Sequence, residues 1–387
     1  MKIFFSVGEP SGDQHAAHLI EELRWRQPDL QFCGFGGPEM RAAGCDLHYQ
    51  MTDLAVMGIL RVLPLLSKFI KLANDAERFF REERPDAVVL VDFPGFNWHI
   101  AKRAKAAGIP VFYYLPPQLW AWGSWRVRRV RKYVDLVLSA LPFEYDWYTA
   151  RGIEAEYVGH PFFDEVAAKS LDQGFLETQA SRSGKIVGIL PGSRANEIKQ
   201  NWPLMLDAMW YLASEHPSAR FLVAGYKEEY ARTCREMLEE SGYELPVEFF
   251  VGKTSEIIEA ADCCLMVSGS VSLEVLARKT PAAVMFKIDW FESLLKWLLV
   301  RVKYISLPNL IADRMVLPEW IIAGNSEAAI QQITNTLDGW LSHPEQLALA
   351  EADLQAVADT ATQTGASSRA ADAILNSLEP KEIRRAA

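Results

Sequence analysis

The sequence has little sulfur chemistry to offer. Its five cysteines, Cys33, Cys45, Cys234, Cys263 and Cys264, are odd in number, and none stands in a C-x-x-C pair. That spacing argues against a disulfide frame or a zinc-thiolate site and fits a reducing cytoplasm. Long apolar runs are missing too. MKIFFSV is ended by Gly8 and Glu9, short of a signal peptide. Two later apolar stretches are broken by Arg61, Lys68 and Lys71, or by Lys296 and Arg301. Neither reaches the roughly 18 apolar residues a spanning helix needs, so the expectation is a soluble or surface-bound chain. A basic excess is absent as well. Forty Lys and Arg against 50 Asp and Glu leave a net charge of −10, which speaks against a general nucleic-acid binder. What is present is ordinary globular composition, 50% hydrophobic and 23% charged, over 387 residues, a length that favours two domains.

Short apolar runs alternate with helical periodicity. KIFFSVG, QFCGFGG, AVVLVDF, IPVFYYLPP and DLVLSALP read as strands of a mainly parallel, doubly wound sheet. SGDQHAAHLIEELRW reads as a helix capped by Ser11, with Gln14 completing a capping box. A polar stretch from about Ala167 to Ser183 introduces a second pattern of the same kind: KIVGILPGS, ARFLVAGY, VEFFVG and CCLMVSG alternate with helices. The expected architecture is α/β: two Rossmann-like domains, 1–166 and 167–387, with a cleft between them. A polar helical part follows from about Ser326, ending in a loose EPKEIRRAA tail.

Several familiar signatures fail. GFGGPE lacks the last glycine of G-x-G-x-x-G, Gly252-Lys253-Thr254 lacks the first glycine of a P-loop, and no G-x-S-x-G elbow occurs. His15 and His18 share a helix face without a third ligand at metal spacing. Four strand-to-loop junctions remain, and in open α/β sheets ligands bind beyond the carboxyl ends of the strands. They are Gly8-Glu9-Pro10-Ser11-Gly12-Asp13, Asp92 to Asn97, Leu190-Pro191-Gly192-Ser193-Arg194, and Ser268-Gly269-Ser270. The helix opening at Ser270 could hold a diphosphate on its free N–H groups, with Glu274 one turn in suited to ribose hydroxyls and Arg194 to a departing phosphate. Each junction could equally be a cap or a tight turn. Asp92 ends a buried strand and could take a proton from a sugar hydroxyl. A helix-capping role for Asp92 is the alternative, and His99 is a rival base.

Against the acidic total, Arg126, Arg128, Arg129, Arg131 and Lys132 crowd beside Trp120, Trp122 and Trp125. Apolar stripes with basic residues recur over about 56–72 and 291–303. Tryptophan and basic residues on an apolar helix suit an anionic bilayer surface, while core helices with solvated rims would read the same way.

SVGEPSGDQHA, GFGGPEMRAAGCD, LAVMGILRVL, VDFPGFN, PQLWAW, LPFE, YVGHP, LPGSR and YISLPNL follow one another in order. Together they resemble the lipid-A-disaccharide synthases, glycosyltransferase family 19, over about residues 1–320. The resemblance implies a GT-B architecture and an inverting transfer without metal or other cofactor. A diacylated glucosamine passes from UDP to the 6-hydroxyl of a diacylglucosamine 1-phosphate. It implies Asp92 as base and Arg194 at the nucleotide. The implied substrate-binding set is Gly8, Glu9, Ser11, Gly12, Asp13, Asn97, Gly192, Ser193, Gly269, Ser270, Glu274 and Asn309. The implied partners are the UDP-diacylglucosamine donor, the acylated glucosamine phosphate acceptor, the anionic cytoplasmic face of the inner membrane and a second copy of the chain, but no nucleic acid. SGSVSLE stands where the family usually reads SGT-A-x-LE. Asp313 and Trp320-Ile321 depart from a family pattern that often has glycine before the arginine and a glutamine further on. Another UDP-hexosamine GT-B enzyme, such as a 2-epimerase or a cell-wall hexosaminyltransferase, stays open, as does a sugar-nucleotide or lipid-binding protein without activity.

Overall fold

The computed structural model describes residues 1–54, 65–288 and 302–379. The chain divides into two units, Met1–Asp164 with the residues from Gln363 on, and Glu165–Thr362.

In the first unit seven strands pair in parallel. They are β1 (Lys2–Val7), β2 (Gln31–Gly36), β3 (Asp46–Gln50), β4 (Ala87–Val91), β5 (Val111–Tyr114), β6 (Leu136–Ser139) and β7 (Ala155–Tyr157), in the order β3-β2-β1-β4-β5-β6-β7. β4, AVVLV, is buried at every residue, as a central parallel strand covered on both faces must be. Beneath β1 the ring of Phe4 meets Phe35 and Phe80 edge to face, at 5.3 and 5.0 Å. The chain order reverses between β1 and β4, where Val7 pairs with Val91, so residues 8 and 92 leave the sheet side by side.

The second unit repeats the arrangement with β8 (Ile186–Leu190), β9 (Arg220–Gly225), β10 (Val247–Val251), β11 (Cys263–Val267), β12 (Ala282–Ile288) and β13 (Glu319–Ala323), ordered β10-β9-β8-β11-β12-β13. Its reversal lies between β8 and β11, where Leu190 pairs with Met266. All four polar junctions singled out in the sequence therefore fall at the two switch points, where such sheets open a crevice.

Two expectations need correction. The helix Pro10–Arg26 begins one residue before Ser11 and has Glu9 at its N-cap with no side-chain cap bond. Proline at the first helical position brings a pre-set φ, and no capping box forms. The polar stretch 167–183 holds the helix Gln173–Ala180, capped by the Asp172 carboxylate on the Phe175 N–H. The last helix, Ala366–Leu378, belongs to the first unit, not the second. Ala370, Ala371 and Ile374 are buried in the same core as Ala16, Leu19 and Ile20. Asp372 and Ser368 hold Arg26, and both oxygens of Asp164 accept the N–H groups of Gly365 and Ala366 at the helix start. Alanine spacing marks a buried stripe but not which domain it is buried in. The C-terminal tail and most of the stripes over 56–72 and 291–303 lie outside the described residues.

Candidate active site

Asp92 is the most constrained residue at the first switch point. It and Phe93 both take left-handed backbone with φ near 45°. Such a conformation costs a non-glycine residue roughly 1–3 kcal/mol and persists only where its surroundings impose it. Here two buried side chains do so. The Asn97 amide donates to the Asp92 carbonyl at 2.7 Å, and the Tyr113 hydroxyl donates to the same oxygen at 2.8 Å. Phe93, not Asp92, is the N-cap of the helix Pro94–Ala106. The carboxylate of Asp92 is thus not spent as a helix cap. Burial pushes its carboxyl above the usual aspartate range, and the Phe93 N–H and nearby His15 pull it only part of the way back. The outcome is a half-buried carboxylate that binds a proton more readily than an exposed one.

The β1 junction supports this loop from the other side. A Cβ on Gly8 would lie 2.2 Å from the Phe93 ring, so only glycine admits that contact. Gly12 faces Val7 at 3.1 Å in the same sense. Glu9 is half-buried and Ser11 exposed at the helix start. Asp13 turns inward instead. It is 1% exposed and accepts from the N–H groups of Gly37, Glu39 and Met40 at 2.7, 2.9 and 3.2 Å, closing the start of the helix Pro38–Ala42. Asn97 is fully buried; its Oδ1 accepts from Ser6 and its amide reaches the carbonyls of Ser6, Val91 and Asp92. Asp13 and Asn97 therefore shape the site rather than face a ligand.

Beyond Phe93 lies an apolar cavity of about 370 Å³. Leu66, Phe69, Ile70 and Ala73 of the helix Leu66–Glu82 form one wall, and Phe93 and Phe96 form the other. His99 sits on its margin; burial and the charges of Arg103, Arg129 and Lys102 hold its pKa below the ordinary histidine value.

In the second unit Gly192, at φ 109°, turns the chain out of β8. Ser193 and Arg194 follow as exposed residues, with Arg194 at the N-cap of the helix Ala195–Glu215 and paired to Glu197. Across the switch point Gly269 and Ser270 are exposed at the head of the helix Val271–Arg278. Glu274, 9% exposed along its side chain, takes Arg278 Nε on one oxygen at 3.0 Å. Arg194, Gly269 and Ser270 thus follow the carboxyl ends of the neighbouring strands β8 and β11. Asn309 does not join them. It is fully buried, donating to Leu317 and Glu319 and accepting from the N–H groups of Val316 and Leu317. That leaves its amide no capacity for a ligand. Asp313 ends the helix Leu307–Ala312 in left-handed backbone at φ 48°, the conformation that favours glycine. The departure from the family pattern there is a backbone matter first.

Sequence reasoning missed two ionisable groups of the first unit. One is the buried Glu144. The other is the half-buried His160 of YVGHP, whose ring lies edge-on to His15 at 6.2 Å and accepts the Phe162 N–H on Nδ1. Burial, helped by His15, lowers its pKa from 6.5 to about 3. Between those values the unfolded chain binds a proton that the folded chain refuses, so stability drops as pH falls below 6.5. His160→Gln should remove about 2 kcal/mol of acid sensitivity between pH 7 and pH 5, read from urea unfolding at both. An unchanged difference would refute the neutral ring.

Comparison with known sequences decides the family. The family model described as lipid-A-disaccharide synthetase matches residues 3–375. The chain belongs to the lipid-A-disaccharide synthase family. The synthase of Myxococcus xanthus is 33% identical over 386 residues, covering 99% of both chains. That of Nitrosococcus oceani is 37% identical over 319 residues, 81% of each. The chain is accordingly a glycosyltransferase of lipid A biosynthesis. Solved structures carry the fold further than the sequence does. UDP-GlcNAc 2-epimerase from Neisseria meningitidis matches with a TM-score of 0.61 at 13% identity, covering 97% of this chain and 100% of that one. MurG from Acinetobacter baumannii matches at 0.59 and 14%, covering 97% and 99%. Both support the GT-B fold class expected from the two α/β patterns. The strained aspartate and the arginine-bearing turn lie on separate sheets, each at its own switch point.

Proposed function

We propose that the chain joins UDP-2,3-diacylglucosamine to 2,3-diacylglucosamine 1-phosphate, giving the disaccharide 1-phosphate and UDP. Asp92 takes the proton of the acceptor 6-hydroxyl as that oxygen attacks C1 of the donor sugar. The bond from C1 to the diphosphate oxygen breaks on the opposite face, inverting C1. The leaving diphosphate gathers charge, which Arg194 and the free N–H groups of Gly269, Ser270 and the helix behind them neutralise. The second oxygen of Glu274 accepts from the ribose hydroxyls, and Gly192 and Ser193 let the backbone approach the nucleotide. Gly8, Glu9, Ser11 and Gly12 flank the acceptor, with Asp13, Asn97 and Asn309 fixing the loops behind the two sites.

One observation carries this reading: a pinned, proton-avid aspartate shares its loop with the wall of an apolar cavity. A base for a hydroxyl and a slot for hydrocarbon are the two things an acylated sugar needs, and a soluble sugar-nucleotide epimerase needs no such slot. Contact with an anionic membrane surface is part of the proposal. Trp122 and Trp125 stand 49% and 62% exposed beside Arg128, Arg129 and Lys132, on a chain with no described helix long and apolar enough to cross a membrane. That surface would be the cytoplasmic face of the inner membrane.

Incubating the purified chain with both lipid substrates should yield disaccharide and UDP in equal amounts. Epimerised UDP-sugar without disaccharide would replace the reading. Arg194→Ala should cut kcat/KM about a hundredfold and weaken UDP binding, measured by calorimetry. Unchanged UDP affinity would remove Arg194 from the nucleotide site.

A further inference from the structure

Glu144 lies in the LPFE segment, on the first turn of the helix Pro142–Thr149, and is 2% exposed. A buried carboxylate normally has a cation beside it. Glu144 has none within hydrogen-bond reach among the described residues; three neutral donors converge on it instead. Trp120 Nε1 donates to one oxygen at 3.1 Å, and Ser139 Oγ and the Ala140 N–H donate to the other at 3.1 and 3.3 Å. Two of these anchors stand at the end of β6. The third, Trp120, comes from the loop Leu115–Gly123, and its ring packs edge-on against Phe143 at 4.8 Å.

That loop borders the proposed base. It continues β5 directly past Tyr114, whose carbonyl accepts the Asp92 N–H at 3.4 Å, and Tyr113 holds the Asp92 carbonyl. The loop carries the exposed Trp122 and is tied down at three places. The Tyr148 hydroxyl donates to Pro117 O at 2.9 Å, Arg126 donates to the carbonyls of Trp122 and Gly123, and Trp120 reaches Glu144. The titratable groups around these ties are Tyr148, Tyr113, Arg126 and Asp92. Burial keeps both tyrosines protonated, and the guanidinium stays charged. Burial raises Glu144 to about 7, against the pull of its three donors. It is the one tie that changes charge near neutrality.

We infer that Glu144 is a positioning residue for the acceptor half of the reaction, its ionised carboxylate latching the Leu115–Gly123 loop beside Asp92. The indole donor favours the ionised form, so by linkage ionisation strengthens the indole bond. A protonated Glu144 must place its own O–H, and among its partners only Ser139 Oγ can accept it; Trp120 and Ala140 offer donors alone. The loop then keeps a weaker neutral bond at Trp120. The effect on turnover rests on the reaction proposed above; the latch does not.

Two measurements on the full chain test it. The indole N–H resonance of Trp120, assigned through Trp120→Phe, should titrate with a midpoint near pH 7 and lose that titration in Glu144→Gln. In the lipid assay the acceptor KM of the wild type should rise about tenfold from pH 8 to pH 6, while Glu144→Gln keeps the high value at both. The donor KM should stay unchanged. If Glu144→Gln does not fold, Trp120→Phe, which keeps the ring against Phe143, should raise the acceptor KM by a similar factor. A Trp120 resonance that does not titrate between pH 6 and 8, or a variant with wild-type KM and the same pH dependence, overturns the latch. Titration in a chain that makes no disaccharide would instead sink the proposed reaction and leave the latch standing.

Discussion

Asp92→Asn is expected to lower turnover by roughly a thousandfold while leaving UDP affinity and thermal stability at least as high as in the wild type. The amide cannot take the proton of a hydroxyl, which accounts for the rate. Asparagine also tolerates left-handed backbone well, so the strain at φ 45° is not increased. Removing a buried charge relieves a cost that the native carboxylate bears. Loss of activity combined with unchanged or raised Tm is the mark of a residue kept for chemistry. The wild-type acid limb of kcat/KM should lie above the ordinary aspartate range, because activity vanishes as pH falls through the raised pKa and the base becomes protonated. Retained turnover, or a Tm that falls with the rate, would remove Asp92 from the role of base.

Much of this could be read before the structure, for reasons that differ from element to element. β4, β8 and β11 are continuous apolar runs that stop at Asp92, Pro191 and Ser268, so both the strands and their functional ends were visible. The edge strands β3, β7 and β13 were not, since DLHYQ and AEY hold only exposed and half-buried residues and EWIIA buries Ile322 alone. Asp92 could be picked out because it follows β4 directly, and Arg194 because it closes the Pro191-Gly192-Ser193 turn out of β8. Asp13, Asn97 and Asn309 carry the same polar signature at the same kinds of junction, yet their oxygens and amides are spent inside the protein. Asp13 finds partners 24 to 27 residues away, and Asn97 reaches Ser6 across 91. Local pattern says that a polar residue sits at a sheet edge, but not whether the chain folds back to satisfy it. Glu144 and His160 escaped for the same reason, since their departures from ordinary acidity come from burial by distant segments.

Asn97→Leu tests the same distinction through stability. The substitution keeps the side-chain volume and takes the Asn97 amide from the Ser6 hydroxyl and from the carbonyls of Ser6 and Val91, while the Asp92 carbonyl keeps only Tyr113. Orphaned groups of this kind cost about 1–3 kcal/mol each, with some relaxation, so a loss of roughly 3–4 kcal/mol is expected. In a unit of this size that lowers Tm by roughly 10 °C. The strain at Asp92 supplies a second handle. With Asn97 intact, the loop is forced into left-handed backbone that glycine adopts freely, so Asp92→Gly alone should stabilise the chain by about 1 kcal/mol. In the Asn97→Leu background the Asn97 half of the clamp is gone and part of the strain can relax, so the same Asp92→Gly change should gain less. A double-mutant cycle by urea unfolding reads that difference as a coupling energy. Strict additivity would mean that Asn97 does not impose the conformation of Asp92, and the positioning of the proposed base would have to be sought in Tyr113 and Gly8 alone.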